Sequence, residues 1–138
     1  MQSATFFEAL AHILPADCLK TAAEDMRPYE CDGLSMYRAL PKCVALPENE
    51  AQLAAVMKVC HAHRVPVVAR GAGTGLSGGA MPDPNALLLS TAKMMRILDL
   101  DALACTARVQ PGVRNLAISE AVAPLGLYYA PDPSSQIA

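Results

Sequence analysis

Five of the chain's eight glycines stand at positions 71, 73, 75, 78 and 79, inside the stretch VPVVARGAGTGLSGGAMPDP that runs from Val65 to Pro84. Glycine tolerates positive φ and lets other atoms approach the main chain closely, so successive N–H groups can converge on one concavity and bind an anion. A pyrophosphate is the natural guest of such a loop. The hydroxyls of Thr74 and Ser77 can donate further hydrogen bonds, and Arg70, at the end of the apolar run before the loop, can add a positive charge. The competing reading is a turn-rich surface loop, which the position directly after a buried strand disfavours.

Two phosphate-binding patterns are testable by spacing. A P-loop needs Lys after its last glycine, and none of these glycines is followed by one. Gly73, Gly75 and Gly78 satisfy G-x-G-x-x-G, and Asp99 lies about 20 residues further on, where a ribose-binding acid would stand in a dinucleotide fold. That fold requires the loop to open a crossover helix, yet Gly79, Pro82 and Pro84 follow at once. The loop must therefore hold its anion by main-chain donors, without a helix N-terminus behind it.

The other reactive residues read as structural. Cys60, His61 and His63 share one helix, but His61 and His63 diverge around it and Cys60 falls on its apolar stripe. They read as a core thiol and two solvated imidazoles, and no metal is expected. His12 flanks an apolar face, Asp99 and Asp101 read as turn residues, and Met94 with Met95 as packing. Asp32 reads either as a turn former or as part of a site. No Ser-His-Asp set and no carboxylate pair is spaced for catalysis, so no general base is named.

The elements that must position the loop are legible from periodicity. Ser3 is placed to cap a helix with Phe6, Leu10, Ile13 and Leu14 on one face, closed by Pro15. Residues 27–47 are irregular, with a short strand from Cys43 to Leu46. A helix from Glu50 to Arg64 has acidic residues at its start and basic ones at its end, with Leu53, Val56, Met57 and Cys60 as its buried stripe. VPVVAR and ALLLS read as strands before and after the glycine loop. Two more strands fit MMRILDLDALACTARVQPG, and VRNLAISEAVAPLG reads as a helix closed by Pro124 and Gly126. The mixture is α/β or α+β.

Composition narrows the partners. With 138 residues, 53% of them hydrophobic, the chain can bury one domain-sized core. A net charge of -2 without basic clusters argues against nucleic acid as a partner. No apolar run approaches the roughly 20 residues of a transmembrane segment, and the N-terminus has no signal-peptide pattern. The five cysteines are scattered without a C-x-x-C pair, which suits reduced thiols. These features place the chain in the cytoplasm. Its end, YYAPDPSSQIA, lacks a polar tail, and the expectation is a fragment of a longer protein.

PVVARGAGTGLSGGA resembles the diphosphate loop of the FAD-binding domain shared by the vanillyl-alcohol oxidase and p-cresol methylhydroxylase family. VQPGVRNLAISEAVAPLGLYYAPDPSSQIA, YECDGLSMYRALP and LPENEAQLAAVMKVCHAHRVPVV extend the likeness over 29–138, and that span is similar to the FAD-linked subunits of bacterial glycolate oxidases. The resemblance implies an α+β domain, with a small parallel sheet and helices plus the start of a second subdomain. Residues 1–28 would form a helical segment before an FAD-binding domain, 29–138, that is incomplete at its C-terminus. Gly71, Ala72, Gly73, Thr74 and Gly75 would cradle the diphosphate, with Ser77, Gly79 and Ala80 completing the turn. Gly112 would allow close packing, and Pro131, Asp132 and Ser135 would approach the cofactor. Relatives with covalent flavin carry histidine at the place of Thr74, so FAD here would be non-covalent. The implied activity is oxidation of a small 2-hydroxy acid, glycolate to glyoxylate. Companion flavin and iron–sulfur subunits would be partners, and any membrane association would come through them. The rival is a non-catalytic nucleotide-binding or structural module, inactive by itself.

Overall fold

A computed structural model describes residues 5–131 and 136, which fall into two compact units divided between Lys93 and Met94.

The first unit begins with helix α1, Phe6–Ile13. Its cap is Thr5, not Ser3, which lies outside the described residues: the Thr5 hydroxyl accepts from the Glu8 N–H while the Glu8 carboxylate accepts from the Thr5 N–H. Only Thr5 has an acid three residues later to close this reciprocal box. A one-turn 3₁₀ helix, Ala16–Cys18, leads into strand β1, Leu19–Lys20, and then helix α2, Ala23–Met26. Sequence periodicity showed none of these three short elements. Strand β2 is Cys43–Ala45, helix α3 Glu50–Ala62, strand β3 Val67–Arg70 and strand β4 Leu87–Ser90. They form one sheet in the order β1-β2-β4-β3, with β1 antiparallel to β2 and the other three strands mutually parallel.

Alternation along the central strands splits the core into two layers. Cys43, Ala45, Leu87 and Leu89 pack with Phe6 and Leu10 of α1 and Val56 and Cys60 of α3. Val44 and Leu88 face the opposite way, toward Met26 and Leu46. Both faces are covered, which is why CVA and LLLS read as unbroken apolar runs. Asn49 caps α3 by accepting from the Gln52 N–H at 3.0 Å. Met57, expected in the buried stripe, is 42% exposed; Leu53 and Val59 complete that face instead. Arg64 takes φ of 54° and turns the chain from α3 toward β3.

The second unit holds an antiparallel hairpin, β5 (Ile97–Asp101) and β6 (Thr106–Val109), with a bulge between Ile97 and Asp99. Asp99 is thus a strand residue paired opposite Arg108. Asp101 is the turn former: its Oδ1 accepts from the N–H groups of Leu103 and Ala104 at 3.0 and 2.9 Å. Helix α4, Asn115–Val122, runs into a 3₁₀ turn that ends at Gly126 with φ of 72°. Among the described residues no helix is long and apolar enough to cross a membrane.

Candidate cofactor-binding site

The glycine loop leaves the carboxyl end of β3 and returns to the start of β4, its parallel neighbour, without forming a helix. A dinucleotide-fold crossover is therefore absent. The carboxyl ends of parallel strands are where open α/β sheets bind ligands. Here the loop starts from that end of β3. Its far side is tied down by the Met81 N–H to the Gly78 carbonyl at 3.2 Å, and by the Asn85 N–H to Asp83 Oδ1 at 2.7 Å. Pro82 beneath it is buried.

The near side is different. No main-chain N–H from Gly71 to Ala80 donates a hydrogen bond to any described residue. Folded chains leave few donors unpaired unless solvent or a ligand takes them. A run of such donors in one loop is the raw material of an anion site.

The glycines fall into two groups. Gly73 and Gly78 have φ of 74° and 75°, which other residues rarely adopt. At Gly73 a Cβ would also fall inside the Arg70 guanidinium. Gly71, Gly75 and Gly79 carry no positive φ, and a Cβ at any of them would meet nothing within 4 Å. Among the described residues nothing within 4 Å demands glycine at those three positions, and a Cβ there would enter open space. Ala72, Thr74 and Ser77 are exposed and Ala80 is half-buried.

Arg70 does not stand free to meet an anion, as its place at the strand end suggested. Its Nη1 donates to the Cys31 carbonyl at 2.6 Å, and its guanidinium lies 5.7 Å from the Tyr29 ring centre. Gly33 extends this contact: a Cβ there would lie 2.6 Å from the Thr74 carbonyl oxygen and 2.7 Å from that of Gly75. Sequence reasoning passed over Gly33. The family-like segment YECDGL gave the only hint. Asp32, 5% exposed, accepts from the Leu34 N–H at 2.8 Å through Oδ1, while Oδ2 is buried with no partner among the described residues. It forms the turn, with one oxygen left over.

Other reactive groups lie elsewhere. Cys60 is buried in the core and His61 is exposed, while the His63 ring packs edge-on to Phe6 at 5.7 Å and is not merely solvated. Asp17, Cys18 and Glu48 come close enough to share a cation. The Lys93 ammonium already sits there, donating to Asp17 and, at 3.1 Å, to the Cys18 sulfur, with Glu48 at 3.9 Å. Its hydrogen bond lowers the Asp17 pKa, whereas burial raises that of Cys18. In the second unit Gly112 donates to the Met94 carbonyl at 2.9 Å and Pro131 is exposed; Asp132 and Ser135 lie outside the described residues.

Comparison with known proteins agrees with this geometry. A family model described as FAD binding domain matches residues 41–138. The glycolate oxidase subunit GlcD of Escherichia coli (strain K12) is 63% identical over 115 residues, 83% of this chain and 23% of that protein. The Bacillus subtilis (strain 168) protein of the same name is 42% identical over 107 residues, covering 78% and 23%. D-2-hydroxyglutarate dehydrogenase of Xanthomonas citri pv. viticola is 35% identical over 124 residues, covering 90% and 26%. The chain thus spans about a quarter of the length of these relatives. Among solved structures, p-cresol methylhydroxylase with substrate bound matches with a TM-score of 0.77 at 23% identity, over 88% of this chain and 24% of that one. Alkyldihydroxyacetonephosphate synthase matches with a TM-score of 0.86 at 18% identity, over 100% and 30%. These two likenesses establish the fold, an α+β FAD-binding architecture of the p-cresol methylhydroxylase type. With a matching model over most of its length, the chain belongs to the FAD binding domain family.

Proposed function

We propose that residues 71–80 hold the diphosphate of FAD, with Gly71, Ala72, Gly73, Thr74 and Gly75 as the cradle and Ser77, Gly79 and Ala80 completing it. The observation that carries this reading is the set of N–H groups from Gly71 to Ala80 that donate to none of the described residues. The open Cβ positions of Gly71, Gly75 and Gly79 fit the group as well. No histidine or cysteine lies in that stretch, so the cofactor is held without a covalent bond. When bound, FAD supplies the redox chemistry by taking up the two electrons released as an alcohol carbon becomes a carbonyl. This chain's part is to bind the cofactor and fix its diphosphate end.

The whole protein, on this proposal, oxidises a small 2-hydroxy acid. Glycolate is favoured because the 63%-identical relative is a glycolate oxidase subunit, against 35% for a D-2-hydroxyglutarate dehydrogenase. The word "subunit" in the relatives' names supports companion chains, which we take to be a further flavin subunit and an iron–sulfur subunit of a cytoplasmic complex that meets the membrane through them. Anaerobic addition of glycolate, D-lactate or D-2-hydroxyglutarate to the full-length flavoprotein tests the activity. Bleaching of the oxidised-flavin spectrum is expected fastest with glycolate. An unchanged spectrum with all three acids would remove the proposal.

A further inference from the structure

Arg70 is the sole Lys or Arg between Arg64 and Lys93, so it would be the natural counter-charge for a diphosphate in the loop that follows it. Its guanidinium is engaged otherwise. One nitrogen donates to the Cys31 carbonyl, the cation rests on the Tyr29 ring, and the group fills the place that a Gly73 side chain would take. Arg70 therefore joins two segments, the turn Tyr29–Gly33 and the loop at Gly73, that are far apart in sequence.

The same turn meets the loop a second time. Gly33 lies against the carbonyl oxygens of Thr74 and Gly75, held there by the Asp32 turn to the Leu34 N–H. In a planar trans peptide the N–H of the next residue points opposite to the carbonyl. With both oxygens turned toward Gly33, the N–H groups of Gly75 and Leu76 point away from it. That direction sets two neighbouring donors on one side of the loop, as a main-chain anion nest requires. Neither N–H is bonded to a described residue.

We propose that Arg70 is a positioning residue for the cofactor loop: by clamping Gly73 to the Tyr29–Gly33 turn it sets the peptide planes at 74–76, and it contributes no charge to the diphosphate directly. This inference rests on reading 71–80 as the diphosphate cradle. An arginine acting on the ligand and an arginine acting on the loop differ in salt dependence. A direct ion pair is screened as ionic strength rises, whereas a half-buried brace onto a neutral carbonyl is far less affected.

The test is FAD titration of the full-length apoprotein at several salt concentrations, with circular dichroism to follow folding, for wild type, Arg70→Met, Arg70→Lys, Gly33→Ala and the double variant Arg70→Met/Gly33→Ala. Arg70→Met is expected to weaken FAD roughly 10- to 100-fold with the fold kept, since more than one loop donor is misplaced. The dependence of Kd on salt should match wild type. Arg70→Lys, which can still reach a carbonyl and an aromatic face, should recover part of the loss. Gly33→Ala should lose a similar amount, and the double variant should be no worse than the weaker single, because both break one arrangement. Wild-type affinity in Arg70→Met overturns the proposal, as does a flatter salt dependence, which would mark a direct charge. If Arg70→Met does not fold, wild-type affinity in Gly33→Ala overturns it. Absence of FAD binding by wild type overturns the cradle itself, and the positioning role with it.

Discussion

Gly73 and Gly75 lack side chains for different reasons, and the difference is measurable. Gly73 is favoured by the chain itself: its φ of 74° strains any other residue, and a Cβ would displace the Arg70 guanidinium. At Gly75 a Cβ would meet none of the described residues, and on our proposal its bareness serves the guest. Gly75→Val is therefore expected to fold normally, by circular dichroism and thermal melting, while FAD affinity falls about 10- to 100-fold, the equivalent of about 1.5–3 kcal/mol for a hydrogen bond to a charged acceptor. Gly73→Val should also lower the melting temperature, because a β-branched residue at positive φ is strained. Equal melting temperatures for the two variants would contradict this division. Thr74 carries a second expectation: acid precipitation of the holoprotein should leave all flavin in the supernatant, and yellow protein in the pellet would show a covalent link. The loop glycines were legible in sequence because their spacing follows a strand. Gly33 and the role of Arg70 were not, since the Arg70–Cys31 bond joins residues 39 apart and only the fold brings them together.

At the scale of elements, β2 and β4 are the buried centre of the first sheet, and their apolar runs made them readable. Helix α3 was readable from its stripe, though Met57 was assigned to the wrong side, because neighbouring positions near a stripe's edge differ by less than a turn. β1 and α2 are too short to show a period and exist only through their partners. The central sheet also carries a titration signature. Burial pushes the Cys43 thiol up from 9.0 to about 12, and burial raises Cys60 as well. A thiol raised in the folded state contributes stability that is complete below its unfolded value and is lost as pH rises toward the folded one. The midpoint of urea unfolding should therefore fall as pH increases from about 9 toward 12. Cys43→Ala should flatten that slope, and an equally steep decline in the variant would assign the effect elsewhere. In native protein a thiol reagent should label exposed Cys105 first, with Cys43 and Cys60 reacting only as fast as the chain unfolds.

Across the whole molecule, the two units differ in how much apolar surface they cover. The first buries both faces of its central strands and exposes Phe7, Met36, Tyr37, Met57 and Leu76, whereas the second, about half as long, exposes Leu98, Leu103, Leu116, Leu125 and Tyr128 among others. Exposed apolar surface on that scale favours association. The 138-residue chain expressed alone should elute as more than a monomer in light-scattering chromatography; a monodisperse monomer would show that this surface is tolerated. Family and cofactor were legible in sequence because the loop and its flanking strands are contiguous. Substrate-side chemistry was not, and the chain spans only about a quarter of the relatives that would show it. The role we propose for this chain is to grip a diphosphate through its main chain. Riboflavin shares the ring system of FAD but lacks its diphosphate and adenosine, so a loop variant is needed to assign the difference between the two ligands to the diphosphate. Titrating both into the full-length apoprotein and its Gly75→Val variant measures it directly. Wild type should bind FAD at least about 10-fold more tightly than riboflavin, and Gly75→Val should bring the two affinities together by weakening FAD alone. Equal affinities in wild type, or an undiminished preference for FAD in Gly75→Val, would contradict a main-chain diphosphate site in the glycine loop.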